Sequence, residues 1–528
     1  MKGERLFQIL GMIDETHTEE ADIASSAAPA KGRHRVRRLA AACAALVCVS
    51  GAVWALRDGL FLGGASMSVP GDGGSGIAHD TEPLLAEGTV FMSYAGPVFP
   101  LTLTEEIEGL TAERTTTWDF APDVREDGSF SLWGSTVTDS YLLVNHTNGD
   151  ILAMACYPVA GSLADLPEDR PTVTADGVKQ KLTLRAGAYA GGFRDAGVDD
   201  GSTWNLDPPH SWTDYKPLLE GGCLTEALGE SPALEIPVTV YEFSDYVLPE
   251  NAPDAATQAI EFTIDPERTT ILTYGINGMS WDEEGGWRQY DYFVPNGIQR
   301  ETEHKLLVVL GEDIGDYTLQ GYEDGGCAPG EEVEGIRCTV TRYETTLNAV
   351  VEDLCRRYQE SYTQQWRQDR GTETGLFDLV SLELFRDKAA ELMTQHGMLA
   401  GEAMTDRYSD GRLGAVISET LTQERVLYWT FPLTIPAGSS VEVTAVFGKE
   451  PSFDFGCSGS ENVGLQGYDL VTRLGSGLEF TQQTAALTNT ETIEITGQNF
   501  GFDLENGVSE VPLDPEQEHY YLEIRPKD

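Results

Sequence analysis

Hydrophobic and polar positions along this chain fall into three kinds of pattern, and each predicts a different element. The first is unbroken. Leu39 to Leu56 is a run of eighteen residues without a charge. With about 1.5 Å of rise per residue, a helix over this run is roughly 27 Å long, enough to cross the hydrocarbon core of a bilayer. The second pattern has helical spacing. Leu6, Phe7, Leu10 and Ile13 fall on one face of a short amphipathic helix over residues 4–15. Leu347, Val350, Val351, Leu354, Tyr358, Tyr362 and Trp366 recur at three- and four-residue steps through residue 368. A second helix is expected from about Leu376 to Gln395, ahead of Gly397.

The third pattern is a succession of short strand-like runs between turn signals. Tyr141–Val144 and Ile151–Met154 flank Asn148-Gly149, a hairpin dipeptide, and Val173-Thr174 and Leu182–Leu184 flank Asp176-Gly177. Ile236 to Phe243 closes this first region, which has no helical pattern between its strands. Beyond Pro249 come Phe262–Ile264, Thr270–Leu272 and the apolar run Lys305–Leu310. After the helices, Val426–Ile435 and the alternating Val441, Val443 and Ala445 read as paired strands, followed by Ile493–Ile495 and Tyr520–Ile524.

Together these predict a mainly β fold. Two β-sandwich-like extracytoplasmic domains, 86–248 and 249–528, are expected, the second carrying a helical hairpin inserted at about 345–397. They follow a cytoplasmic tail (1–38), one N-terminal transmembrane helix (39–56) and a flexible stalk (57–85) that contains Gly71-Asp72-Gly73-Gly74-Ser75-Gly76.

Charge orients this arrangement. Lys31, Arg33, Arg35, Arg37 and Arg38 precede the apolar run, and only Arg57, answered by Asp58, follows it. Basic residues stay cytoplasmic during insertion, so the N-terminus is expected inside and the C-terminal domain outside, in a single-pass cell-membrane protein. The alternative is a cleaved signal peptide ending at Ala65-Ser66-Met67, but the 38-residue tail is long for an n-region. The total of 35 basic and 86 acidic side chains leaves 28 and 80 for residues 57–528, a net −52. Such a surface repels polyanions and excludes nucleic acid as a partner.

Of eight cysteines, Cys43 and Cys48 lie in the apolar run. The remaining six permit three disulfides, and Cys327 with Cys338 is the locally plausible pair; buried free thiols are the other reading. No CxxC, HExxH or GxSxG occurs; Gly456-Cys457-Ser458-Gly459-Ser460 is the nearest approach to a nucleophile motif, with His519 or His396 as its conceivable base. A non-enzymatic protein without cofactor or metal is therefore expected. Asp199-Asp200-Gly201 and the loop through Tyr215 lack the D-x-D-x-D-G spacing of a calcium site and read as an acidic loop. One segment combines aromatic faces with carboxylates: Trp281-Asp282-Glu283-Glu284-Gly285-Gly286-Trp287, followed by Tyr290 and Tyr292. It is read either as a hairpin turning at Gly285-Gly286 with its aromatics facing the core, or as a sugar-stacking platform of Trp281, Trp287, Tyr290 and Tyr292.

The N-terminal order of elements carries a resemblance. Leu6, Phe7, Gly11, Ile13, Asp14, Glu15, Glu20, Ala21 and the span from Leu39 to Val47 resemble the N-termini of single-pass membrane proteins of Gram-positive gut bacteria, some with an anti-sigma-factor-like N-terminus and an uncharacterised β-rich ectodomain. The zinc-binding His/Cys cluster of some anti-sigma factors has no counterpart near His17 or His34. The resemblance implies an envelope sensor or regulator whose inner helix, through Leu6, Phe7, Leu10 and Ile13, binds a cytoplasmic protein. The alternative is an extracellular surface module that binds an envelope glycan or protein.

Overall fold

A computed structural model describes residues 94–527, except 125–129, 133, 167–169, 195–204, 208, 230, 283–285, 297–303, 371–374, 396, 400–407, 409–410, 456–461 and 515. The tail, the 39–56 run and the stalk lie outside the described residues. Among the described residues no helix is long and apolar enough to cross a membrane. The fold is mainly β, as the strand-like runs predict, with several antiparallel sheets; Leu110–Asp119 and Glu479–Thr488 pair in parallel.

Its largest element is a seven-stranded sheet in which Leu110–Asp119, Ser135–Asn145 and Ser440–Lys449 lie side by side. Each of these three strands alternates buried and accessible positions, so one face enters the core and the other meets solvent. A second sheet pairs Ile151–Gly161 with Arg425–Ile435. Asn148-Gly149 is therefore not a hairpin turn: the strands either side of it belong to different sheets. Pro436-Ala437-Gly438 likewise joins strands of different sheets rather than a pair. The two corners run together, because Asn145 Nδ2 donates to the carbonyls of Gly149, Ile435 and Pro436. A doubled ribbon, 135–161 against 425–449, thus folds over at both corners at once. Asp176-Gly177, with φ of 47° and 76°, does close a hairpin, but Val178-Lys179 is its return strand, not 182–184.

Hydrogen-bonded strands do not follow the expected boundary at 248/249. Strands from 102–189 share sheets with strands from 425–512, whereas Pro237–Val247 to Arg337–Thr346 form two four-stranded sheets of their own. The unit from 237 to 346 is an insertion. Its first strand was read as the close of the preceding region because sequence order hides a return that takes place after 413.

Helices Leu347–Arg370 and Leu382–Gln395 match the periodic stripe, and a third, Leu413–Thr422, extends the helical segment past the expected limit of 397. Trp212–Tyr215, expected to end an acidic loop, instead begins a helix, Trp212–Gly221, and a second short helix, Cys223–Leu228, follows it. Their start is set by Asp214, whose carboxylate accepts from the backbone N–H groups of His210 and Ser211. Gly222, at φ 89°, separates them.

One buried cluster unites the main sheets, the three later helices and the even-numbered face of the inserted strand 237–247 (Val238, Val240). The odd-numbered face (Tyr241, Phe243) enters another cluster with Ile260, Phe262, Tyr290 and Tyr292 of the second inserted sheet. Pro237–Val247 is thus covered on both sides, by helices and by a sheet.

At the centre of the main unit lies a buried ion pair. Arg114 Nε and Nη2 donate to the two oxygens of Asp139 at 2.9 and 3.0 Å, and both side chains are 0% exposed. Thr116, Tyr141 and Tyr157 donate to the same carboxylate at 2.8, 2.5 and 3.0 Å. Arg114 also reaches the carbonyls of Val471 and Phe99. Burial works against the guanidinium charge, but Asp139, together with Tyr141 and Tyr157, offsets this and raises the Arg114 pKa.

Asp139→Ala is expected to lower the unfolding free energy by about 3–5 kcal/mol, because it strands a buried guanidinium. Arg356→Ala removes an exposed pair with Asp353 and is expected to cost under about 1 kcal/mol. Denaturant midpoints of the two variants check this, and equal losses would contradict it.

Candidate functional site

Strand Trp287–Phe293 carries the aromatic segment, and its register decides which side chains can act together. It pairs with Gly278–Trp281 on one side and Thr257–Thr263 on the other, the predicted hairpin with its turn at 283–285 outside the described residues. Successive residues on a strand point to opposite faces. Arg288, Tyr290 and Tyr292 therefore share one face, and Trp287, Gln289, Asp291 and Phe293 the other. Tyr290 and Tyr292 are buried in the core of the inserted unit at 4% and 0% exposure. Tyr292 donates to Gln258 and to the Cys338 sulfur. These two tyrosines are core residues and leave the expected sugar platform. Trp281 is 57% exposed but lies opposite Arg288, so it does not share a face with Trp287. The four expected aromatics are not one surface.

What the register does assemble is the outer face of this sheet. Asp291 stands opposite Gly278 and Ala259, Gln289 opposite Ser280 and Glu261. Gln289 Nε2 donates to Glu261 Oε1 at 2.9 Å, and Tyr322 donates to the same oxygen at 3.5 Å. Over this face folds the loop after Tyr322, closed by Glu323 N–H on the Glu331 carbonyl and turned by Asp324, which accepts from Gly326 N–H. Cys327 sits in that loop at φ 45°. Beside Gly278, Thr273, Ile276, Asn277, Met279, Tyr290 and Arg412 line a shallow hollow too small to hold a water molecule.

Asp291 is the anomaly of this face. It is 5% exposed, and among the described residues no hydrogen-bond donor reaches its carboxylate. Burial pushes its pKa up to about 6, with Arg412 pulling the other way. Its carboxylate occupies the space that a side chain at Gly278 would fill. Burial also pushes the Cys327 thiol up to about 12, with Asp291, Asp324 and Glu261 adding to it, so the thiol stays protonated at neutral pH. The face can accept hydrogen bonds and positive charge; it presents no activated nucleophile.

Other expected chemistry distributes as follows. Cys327 and Cys338 are both free, one in the outer loop and the other against Tyr292, so the local disulfide is not formed. Cys156, Cys223 and Cys355 are buried free thiols. Cys457, His396, Asp199 and Asp200 lie outside the described residues, as do Leu6, Phe7, Leu10 and Ile13. His519 faces Asp469, with Nε2 at 2.8 Å from Oδ1, and stacks on Trp212 with ring centroids 4.6 Å apart. Tyr94 donates to the same aspartate. Among the described residues no group of three or more His, Cys, Asp or Glu side chains could hold a metal ion.

No protein-family model matches the chain, and no curated protein is significantly similar to it. Asp291, Gln289 and Glu261 escaped the sequence reading although a signal was present. Strict alternation in Trp-Arg-Gln-Tyr-Asp-Tyr-Phe separates the tyrosines from Trp287, Gln289 and Asp291.

A carboxyl group whose pKa is raised on folding weakens the native state as pH rises from the unfolded pKa, near about 3.9, through the folded one, because the unfolded chain releases its proton first. Asp291→Asn has no such titration. It is expected to raise the thermal midpoint at neutral pH and to leave it nearly unchanged below about pH 4. A uniform loss across the pH range would show that the carboxylate serves the fold.

Proposed function

We propose that the chain is a membrane-anchored extracytoplasmic sensor or regulator, non-enzymatic and anti-sigma-like in plan. In this reading residues 39–56 span the cell membrane with the N-terminus inside. The β sheets form two sandwich-like units outside, one inserted in the other. The observation that carries the reading is the asymmetry of basic residues about the apolar run: Lys31, Arg33, Arg35, Arg37 and Arg38 before it and only Arg57 directly after it. The inner helix, with Leu6, Phe7, Leu10 and Ile13, is the output element and binds a cytoplasmic protein. The ectodomain supplies the input, and the outer face around Asp291 is the surface best suited to receive it.

A second reading, a surface module that binds an envelope glycan or protein without signalling inward, is favoured by the 57% exposure of Trp281 at the hairpin end.

Crosslinked recovery from native membranes separates the two. The full-length protein is expected to retain a cytoplasmic partner that is lost when residues 1–20 are scrambled, and Leu10→Asp is expected to change a transcriptional output. If neither change has any effect while Trp281→Ala or Trp287→Ala weakens binding to cell-wall glycans, the surface-module reading replaces the regulator.

A further inference from the structure

We propose that strand Arg337–Thr346 is an interface through which two copies of this chain pair edge to edge. It is the outermost strand of its sheet. Pro237–Val247 lies on one side, and among the described residues no backbone hydrogen bond reaches the other. At ten residues it is the longest edge strand among the described residues, and Thr341 to Glu344 are all exposed. Such an edge is a template for another strand, and charged side chains ordinarily blunt it. Here the charges do not blunt it against itself. Arg342 and Glu344 lie on one face with opposite signs, their side chains 44% and 75% exposed. Asp313 fixes Arg342 in place, its carboxylate accepting from Nε at 3.0 Å.

Register selects the partner. A two-fold axis perpendicular to the sheet keeps each face of the strand on the same side in both copies, so a residue lies opposite itself or one an even number of positions away. With the axis at Tyr343, that ring meets its own counterpart. Arg342 then meets Glu344 of the second copy, Glu344 meets Arg342, and Thr341 meets Thr345. Opposite charges and paired threonines directly across a ladder favour pairing. The adjacent two-fold registers set Arg342 against Arg342, or Glu344 against Glu344, and are repulsive. Charge also directs contact to this strand. Residues 57–528 carry a net −52, so two copies repel over most of their surface, whereas Arg337, Arg342 and Glu344 leave the strand at +1. Only residues 340–346 face one another, a small interface of the weak, reversible kind.

The test is disulfide crosslinking of the full-length chain under copper-catalysed oxidation by dioxygen. Tyr343→Cys places two thiols across the axis with Cα atoms about 4.5–5.5 Å apart, within reach of a disulfide. Thr341→Cys is the register control, because its counterpart lies opposite Thr345, about 14 Å along the strand. Tyr343→Cys is expected to give at least about tenfold more crosslinked dimer than Thr341→Cys or the wild type. Arg342→Glu and Glu344→Arg, each added to Tyr343→Cys, are expected to lower that yield at least about tenfold when alone. Mixing the two is expected to restore it, since every charge then faces its opposite. A cooperative thermal transition of each variant checks its folding. Equal crosslinking at 341 and 343, yields unmoved by either charge change, no recovery on mixing of folded variants, or a crosslink from Tyr343→Cys to a different protein would each overturn the pairing. None of these outcomes touches the inner-helix reading, which stands or falls on residues 1–20.

Discussion

The Arg114–Asp139 pair is the constraint on which the main β unit depends. Burying two charges costs several kcal/mol per ion, and their attraction repays this only when the remaining polar atoms are also matched. Here they are. Two guanidinium nitrogens, one threonine and two tyrosines converge on Asp139, and the guanidinium goes on to the carbonyls of Phe99 and Val471. Those carbonyls belong to the entering segment and to the strand Gln466–Val471, 357 residues away from Arg114 in sequence for Val471. The pair is satisfied only when the first and last parts of the chain are both in place. Specificity of assembly, rather than net stability, is what such an arrangement contributes.

This long closure explains which parts of the fold were legible from sequence. Period-2 alternation located Ser440–Lys449, a strand-like run beside a turn signal located the Tyr141–Val144 part of Ser135–Asn145, and the three-four spacing located Leu347–Arg370, because each of those signals is local. Partnership is not. Asn148-Gly149 has the composition of a hairpin turn, yet Asn145 uses its amide to bind a second corner near Ile435, and no dipeptide encodes that. The same holds for the strand at Pro237–Val247, whose partners lie downstream of the expected boundary at 248/249. Pro237–Val247 buries Val238 and Val240 on one face and Tyr241 and Phe243 on the other, so its local pattern fits either neighbour.

The aromatic segment teaches the converse lesson. Composition alone singles out its residues. Trp281, Trp287, Tyr290 and Tyr292 are close in sequence and divide between two faces of one sheet. Alternation, applied residue by residue, places Tyr290 and Tyr292 in the core and brings forward Gln289 and Asp291. The loop that roofs them comes from residues 323–331, about thirty positions downstream, and only the pairing of Thr257–Thr263 with Tyr317–Tyr322 carries it there.

Two buried aspartates in this protein make the functional argument by contrast. Asp139 collects five hydrogen bonds and a full counter-charge, and its replacement removes a joint of the fold. Asp291 collects none among the described residues, and burial raises its pKa to about 6. A solvent-shielded carboxylate that is not paired weakens the native state near neutral pH, and a glycine opposite it at 278 leaves the room it occupies. Fold stability therefore gives no reason for an acid at 291, where asparagine would fit the same space.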